Sequence, residues 1–302
     1  MENSIDSVKL NFSEDALWGL NIALAVVMFG VALGLTTQDF VRIVKAPKSA
    51  LLGVLSQFVV LPALTFLLVY IFEPTPSIAL GMILVAACPG GNISNFMSQI
   101  SGGNSALSVT LTAFATLLAI FFTPFNLSFW GGLYPPTQAI LEQVSINPID
   151  VFKTVALILA APLVAGMLVR RWKPKTAEVI SKVLKPLSIL IFVALVILAF
   201  SNNIDLFKRF IGQIILLVFL HNAIALSCGY YLGKLGKLPI ADRRTLAVET
   251  GIQNSGLGLL LIFSFFDGLG GMAIIAGWWG IWHIVAGLTM AFWWSKRKIK
   301  HE

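Results

Sequence analysis

Long apolar runs separated by short polar connections dominate the chain. The runs fall near residues 16–36, 50–72, 77–98, 106–127, 148–170, 185–201, 209–233, 244–266 and 272–295, each bounded by charge, Pro or Gly. Most are close to the roughly 20 residues that a helix needs to cross a hydrocarbon core. They are continuously apolar, unlike the alternating strands of an outer-membrane barrel, so helices are the form that satisfies the backbone in lipid. The pattern predicts an all-α polytopic membrane protein with nine transmembrane helices.

Composition sharpens this picture. Of the 302 residues, 57% are hydrophobic and 12% charged, and the mean hydropathy is +0.88. Soluble domains carry roughly a quarter charged residues, so soluble enzymes, nucleic-acid binders and disordered tails are excluded. The net charge of +7 is a topology signal here. Arg42, Lys45 and Lys48, the Arg170–Lys185 cluster, the Lys234–Arg244 cluster and the Lys296–Lys300 tail fall in alternate connections, leaving Lys9, Lys153, Lys208 and Arg209 on the other side. The positive-inside rule then places the amino terminus outside and the carboxyl terminus in the cytoplasm, in a plasma membrane or bacterial inner membrane. The first fifteen residues are acidic, the reverse of a signal peptide's basic start, and are expected to be a short polar outer tail. Cys88 and Cys228 lie inside apolar runs, where they simply pack.

The third and eighth runs are interrupted. Cys88-Pro89-Gly90-Gly91-Asn92-Ile93-Ser94-Asn95 splits one, and Glu249-Thr250-Gly251-Ile252-Gln253-Asn254-Ser255-Gly256 splits the other. Helix breakers beside polar groups at membrane depth predict two broken helices. They occupy matching places in runs one to four and six to nine, and a shift of five runs reverses the crossing direction. The halves are therefore expected to be inverted repeats, with a transporter's substrate and ion site at the matched breaks near the midplane.

Glu249 carries the sharpest chemical signal. The other acidic residues sit in tails, connections or run ends, whereas an intramembrane carboxylate costs several kcal/mol unless something compensates it. A hard cation held by oxygens would do so. Glu249, Gln253, Ser94 and Asn95 lie in the breaks, Ser108 and Thr112 share a helix face four residues apart, and Gln57 is a lone amide in the second run. No second intramembrane carboxylate offers a proton-relay pair, which favours Na⁺ over H⁺. One carboxylate with two sodium ions carries net +1, and the resumed half-helices offer N–H groups to an anion beside them. Small polar residues also pack ordinary transmembrane interfaces, the competing reading for Ser108 and Thr112.

Other residues have plainer readings. His283 is either an interface histidine or a cavity-lining group; His221-Asn222 is expected to bond between helices. Trp278, Trp279, Trp282, Trp293 and Trp294 read mainly as an interfacial belt, Lys296-Arg297-Lys298 as an anchor, and Asn11-Phe12-Ser13 as a short sequon. Arg243 and Arg244 mark the membrane edge. No hydrolase elbow, phosphate-binding loop, HExxH or CxxC motif appears, so no enzyme is expected.

Cys88–Asn95, Val248–Asn254, the Gln57 segment and the Asn104–Thr112 run together resemble the bile acid:sodium symporter family over nearly the whole chain from about residue 16. The resemblance implies a panel domain beside a core domain that contains the crossed broken helices. The corresponding division is an outer tail over 1–15, panel over 16–47 and 131–207, core over 48–130 and 208–295, and an inner tail over 296–302. It further implies one sodium site on Ser94, Asn95, Ser108, Thr112 and Glu249, and a second on Gln57, Glu249, Gln253 and the carbonyls of Thr250 and Ile252. The substrate would sit near Gly91, Asn92, Asn254 and His283. The implied activity is sodium-coupled symport of organic anions such as bile acids, pantoate or small keto acids by alternating access, with two sodium ions and no organic cofactor. The partners are the anion and the bilayer, not nucleic acid. A proton-coupled transporter or exchanger, and a non-transporting receptor or enzyme, are the rival readings. The chain departs from the ten-span bacterial form in lacking the first helix, and bacterial relatives have Thr and Asn where it has Asn92 and Ile284, so bile-acid recognition does not carry over.

Overall fold

The computed structural model describes residues 4–10, 14–39, 41, 47–145, 147–201 and 204–297; Arg42, Lys45, Lys298, Lys300 and the Asn11-Phe12-Ser13 sequon lie outside them. Helices and connections account for the described residues, with two isolated β-bridges and no strand among them. In chain order the helices are α1 (Glu14–Ala32), α2 (Pro47–Phe72), α3 (Pro76–Ala87), α4 (Ser94–Ile100), α5 (Ser105–Leu133) and α6 (Pro135–Val144). They continue with α7 (Pro148–Trp172), α8 (Pro174–Ser201), α9 (Ile204–Leu235), α10 (Ile240–Gly251), α11 (Ser255–Phe265) and α12 (Gly270–Ser295). Among the described residues, α2, α5, α7, the stretch Ile214–Leu235 of α9, and α12 are long and apolar enough to cross a membrane. The chain is an all-helical polytopic membrane protein.

The third and eighth apolar runs are broken where the sequence expected. Each yields two shorter helices, α3 and α4 from one, α10 and α11 from the other, joined through non-helical residues. Helix α3 packs between α5 and α12, and α10 lies along α9 while also touching α4 and α5. On the far side α1, α7 and α8 pack on one another; α7 also meets α5, and α1 reaches α11.

Buried backbone groups left over by the irregular helices find side-chain partners, as lipid requires. Pro62 has no N–H, so the carbonyl of Phe58 four residues earlier loses its helical donor. Asn126 Nδ2 on α5 supplies one at 3.0 Å, and the α2 segment Ser56–Val60 just before widens into a π-turn. At the end of α3, Thr123 Oγ1 donates to the carbonyl of Ala87 at 2.8 Å. Replacing Asn126 with Leu strands a buried carbonyl, which costs about 1–3 kcal/mol. The purified variant should unfold at a lower temperature than wild type; an unchanged midpoint would mean that Phe58 O needs no partner.

Two plain readings change. The amino-terminal segment is a strap rather than a free polar tail: Ile5 and Leu10 are buried in the main apolar core. Asp6 Oδ1 accepts the Ser77 N–H at 2.7 Å in the first turn of α3, and Val8 and Leu10 bond the 268–270 connection through Gly270 N and Gly268 O. Unpaired N–H groups and the positive end of α3 make a carboxylate favourable there. Trp279, in turn, belongs to the core and not to a belt; it is fully buried with its ring 4.6 Å from that of His221. Trp293 is the half-exposed member of the group.

Candidate functional site

The two breaks cross. Residues Gly90 and Gln253 form an antiparallel bridge, in which Gly91 N–H donates to Ile252 O at 2.5 Å and Asn254 N–H to Pro89 O at 2.8 Å. This contact explains the paired glycines. A Cβ on Gly90 would lie 2.9 Å from Glu249 O, and one on Gly91 would lie 3.0 Å from Gln253 O, closer than real Cβ contacts allow or nearly so. Only glycine lets the two backbones come so close.

Glu249 sits in the last turns of α10, directly beside the crossing, and is fully buried. Ser94 Oγ at the start of α4 donates to its Oε1 at 2.6 Å, Ser108 Oγ on α5 makes a short bond to the same oxygen, and Thr112 Oγ1 lies 3.0 Å from Oε2. The four-residue spacing of Ser108 and Thr112 thus brings both hydroxyls onto one carboxylate. Among the described residues no salt bridge involves Glu249. The one buried arginine of α10 points elsewhere: Arg244 donates to the carbonyls of Ser101 at 2.6 Å, Trp294 at 3.3 Å and Arg297 at 3.1 Å. It caps the ends of α4 and α12, where cations are favoured, so it is a buried clamp.

On the Oε2 side of Glu249, two side-chain oxygens share one hydroxyl hydrogen. Thr112 Oγ1 has a single hydrogen, yet it faces Glu249 Oε2, Asn95 Oδ1 at 3.3 Å and Ser108 O at 3.0 Å. Ser108 O already holds the helical N–H of Thr112, so Glu249 Oε2 and Asn95 Oδ1 compete for that one hydrogen and whichever loses faces the other without it. That is the donor set a hard cation uses, and it matches the first group of residues singled out in the sequence.

The second group meets at the crossing itself. Gln57, in the π-turn of α2, accepts the Gly90 N–H at 3.3 Å through Oε1. A Cβ on Gly90 would stand 3.3 Å from Glu249 Oε2 and 3.5 Å from Gln57 Oε1, so the missing side chain leaves a small cradle facing both oxygens. Gln253 Nε2 holds the carbonyl of Thr250 at 2.7 Å, while its buried Oε1 has no partner among the described residues. The carbonyls of Thr250 and Ile252, expected as ligands, are both engaged by donors of the chain.

Of the residues expected near a substrate, Gly91 is locked into the crossing, whereas Asn92 and Asn254 are half-buried at its edge. Asn92 Nδ2 approaches Met28 Sδ on α1 at 3.9 Å, and Asn254 Oδ1 caps α11 by accepting the Leu257 N–H at 3.1 Å. His283 is buried on α12, with an Nδ1 that has no partner among the described residues, and it forms no bond to Gly91, Asn92 or Asn254. It lies one turn before Gly287, whose Cβ position is 2.6 Å from both Ile252 Cδ1 and Met97 Sδ, so this face of α12 packs on the breaks.

Some participants were not singled out from sequence. Ser56 Oγ gives its hydrogen to Gly53 O, so Thr250 Oγ1 is the donor in their 2.6 Å bond. The expected interhelical role of His221-Asn222 is found: His221 Nε2 bonds Thr65 Oγ1 on α2 at 2.7 Å, and Asn222 Nδ2 donates to Gly251 O at 2.7 Å. One rung beyond Glu249, Ser98 and Thr245 share a 2.8 Å bond, and Asp242 ties Asn104 to Ser49.

Comparison with known proteins agrees with this geometry. The model of the Sodium Bile acid symporter family matches residues 21–210, which include the first break. An uncharacterized sodium-dependent transporter of Bacillus subtilis (strain 168) is 31% identical over 283 residues, 94% of this chain and 85% of that protein, and so spans both breaks. The P3 protein of Mus musculus is 31% identical over 83% of this chain and 52% of its own length. A chloroplastic protein of Oryza sativa subsp. japonica named "Probable sodium/metabolite cotransporter BASS2" is 32% identical over 81% of this chain and 56% of its own length. The chain thus spans little more than half of the mouse and rice proteins. Two crossed, broken membrane helices and these matches together make this chain a membrane transporter that belongs to the Sodium Bile acid symporter family.

Proposed function

We propose that the protein is a sodium-coupled symporter of small organic anions. The observation that carries this reading is Glu249, a fully buried carboxylate whose bonds among the described residues are all to hydroxyls, with Asn95 Oδ1 competing for one of their hydrogens. Two sodium ions compensate it. One binds among Ser94, Asn95, Ser108, Thr112 and Glu249; the other lies between Glu249, Gln57 and Gln253, near the cradle left by Gly90. Because Thr250 O and Ile252 O already hold donors of the chain, the side-chain oxygens carry the second ion first, and the carbonyls join only as those bonds lengthen.

The net positive charge left by two cations and one carboxylate holds the substrate's anionic group beside the crossing, with Asn92, Asn254 and His283 at its edge. Helices α1, α7 and α8, which pack on one another, form the panel, and α2–α5 with α9–α12, the crossed breaks among them, form the core. Asn92 meets α1, so the substrate position lies where panel and core touch. Sodium sets the two breaks, and the panel then moves against the core to expose the anion on alternate sides. The amino terminus lies outside and the basic ends face the cytoplasm.

Uptake by proteoliposomes tests this. A sodium gradient should drive accumulation of a small carboxylate, and choline at the same ionic strength and pH should not. Equal uptake in choline with dependence on a pH gradient would assign Glu249 to proton coupling instead. Binding without accumulation would indicate a receptor. For the second ion, Gln57→Ala should raise the sodium concentration for half-maximal uptake by about tenfold, the scale of one lost bond to a charged group; an unchanged sodium curve would remove Gln57 from the site.

A further inference from the structure

We infer that Thr245 is the positioning residue of the first sodium site, the hydroxyl that holds α4 and α5 at the spacing their ligands need; this rests on the two-ion reading above. That site draws its oxygens from three helices: Ser94 and Asn95 from α4, Ser108 and Thr112 from α5, and Glu249 from α10. At the level of the ligands the helices are joined through Glu249, which takes Ser94 and Ser108 on Oε1 and Thr112 on Oε2. A cation competes with those hydrogens for the same oxygens, so the spacing needs support from outside the site.

That support lies one turn away. Thr245 stands one turn before Glu249 on α10, and Ser98 one turn after Ser94 on α4, so the two side chains face each other as the ligands do. Both are fully buried, and their hydroxyls are 2.8 Å apart. Thr245 Oγ1 also accepts the backbone N–H of Asn104 at 2.8 Å and lies 3.3 Å from its carbonyl. Asn104 stands one turn before Ser108 and opens α5: its Oδ1 accepts the Leu107 N–H at 3.1 Å, and its carbonyl accepts the Ser108 N–H at 2.9 Å. One hydroxyl of α10 thus meets α4 and the start of α5 together, repeating the three-helix junction at Glu249 without its charge.

The surrounding contacts leave this junction little slack. Helix α4 has seven residues, too few to hold a helix by itself, and α10 grips it at three levels: Glu249 on Ser94, Thr245 on Ser98, and Arg244 on the carbonyl of Ser101 at 2.6 Å. The connection to α5 runs against the same hydroxyls, for a Cβ on Gly103 would lie 2.7 Å from both Ser98 Oγ and Thr245 Oγ1. Asp242 Oδ1 takes Asn104 Nδ2 at 2.9 Å, so α10 engages both the backbone N–H and the side-chain amide of the residue that sets the register of α5. The Thr245 side chain bonds Ser98 and Asn104, neither of them an ion ligand, and so acts through the helices that carry the ligands.

Thermal unfolding of purified protein, titrated with sodium at ionic strength held constant with choline, separates positioning from plain stability. Thr245→Val keeps the shape and loses the hydroxyl; Thr245→Ser keeps the hydroxyl. In choline alone Thr245→Val should melt below wild type, since the Asn104 N–H loses its acceptor. The half-saturating sodium concentration should rise about tenfold or more in Thr245→Val and stay within about threefold of wild type in Thr245→Ser. A lower melting temperature with unchanged half-saturation in Thr245→Val would overturn the proposal, because the hydroxyl would then serve the fold alone. An equal rise in both variants would overturn it as well, since the hydroxyl would not be what matters. If Thr245→Val does not fold, Ser98→Ala decides: it breaks the rung on the α4 side and leaves the Asn104 N–H its acceptor. A rise of about fivefold supports the positioning role, and the wild-type value refutes it. A wild-type protein with no sodium response defeats the underlying two-ion reading, and this is visible before any variant is compared.

Discussion

Glu249→Gln is expected to abolish sodium-driven uptake while leaving the fold intact. Glutamine keeps the volume and one carbonyl oxygen for Ser94 and Ser108, whose bonds to Oε1 tie α4 and α5 to α10. What it removes is the charge. At an effective dielectric of about 20, opposite charges about 4 Å apart attract by about 4 kcal/mol, or about a thousandfold in cation affinity. On the proposed two-ion reading both ions share this carboxylate, so both sites weaken together, and uptake should fall to the level seen in choline. Stability should move the other way. A buried carboxylate without its cation costs free energy, so in sodium-free buffer the variant should unfold at the same temperature as wild type or higher. Full uptake by Glu249→Gln would remove the carboxylate from the mechanism, and a collapse of folding would reduce it to a structural role.

The second large effect is expected from a single methyl group. Gly90→Ala places a Cβ 2.9 Å from the Glu249 carbonyl, and that oxygen belongs to the backbone of α10 and cannot rotate aside. The crossing must open by several tenths of an ångström, which moves Glu249 Oε2 and Gln57 Oε1, the oxygens that face the cradle. Overpacking of this kind costs about 1–3 kcal/mol in stability, but the functional loss should be near complete, because ion ligands tolerate little displacement. Gly132→Ala is the matched control: nothing lies within 4 Å of its Cβ position on α5, and alanine is the better helix former. Normal uptake by Gly90→Ala, with Gly132→Ala unchanged, would show that the breaks do not need their close approach.

The sequence made the site legible because lipid penalises what the site needs. Pro89, Gly90 and Gly91 in an apolar run, and Glu249 four residues before Gln253 in another, are out of place unless they do something. The i, i+4 spacing of Ser108 and Thr112 also translated directly into two hydroxyls on one carboxylate. Contacts between a side chain and a distant carbonyl stayed hidden. Asn126 with Phe58 and Thr123 with Ala87 join positions that carry no common pattern, and a lone Asn or Thr in an apolar helix looks like interface packing. Arg244 was legible as a boundary charge but not as a clamp, since three carbonyls at helix ends leave no mark in the sequence. Ile5 and Leu10 were overlooked because apolar residues at 5, 8 and 10 among acids, serines and a lysine give no period, although the 268–270 connection holds the segment in a buried place.

Equilibrium binding of radioactive sodium to the purified transporter bears most directly on all of this. Wild type should bind the ion saturably, with a limiting stoichiometry of two per chain, and Glu249→Gln should bind none over the same concentration range. Saturable binding of equal strength in both proteins, or none in wild type, would contradict the claim that sodium is what offsets the buried carboxylate.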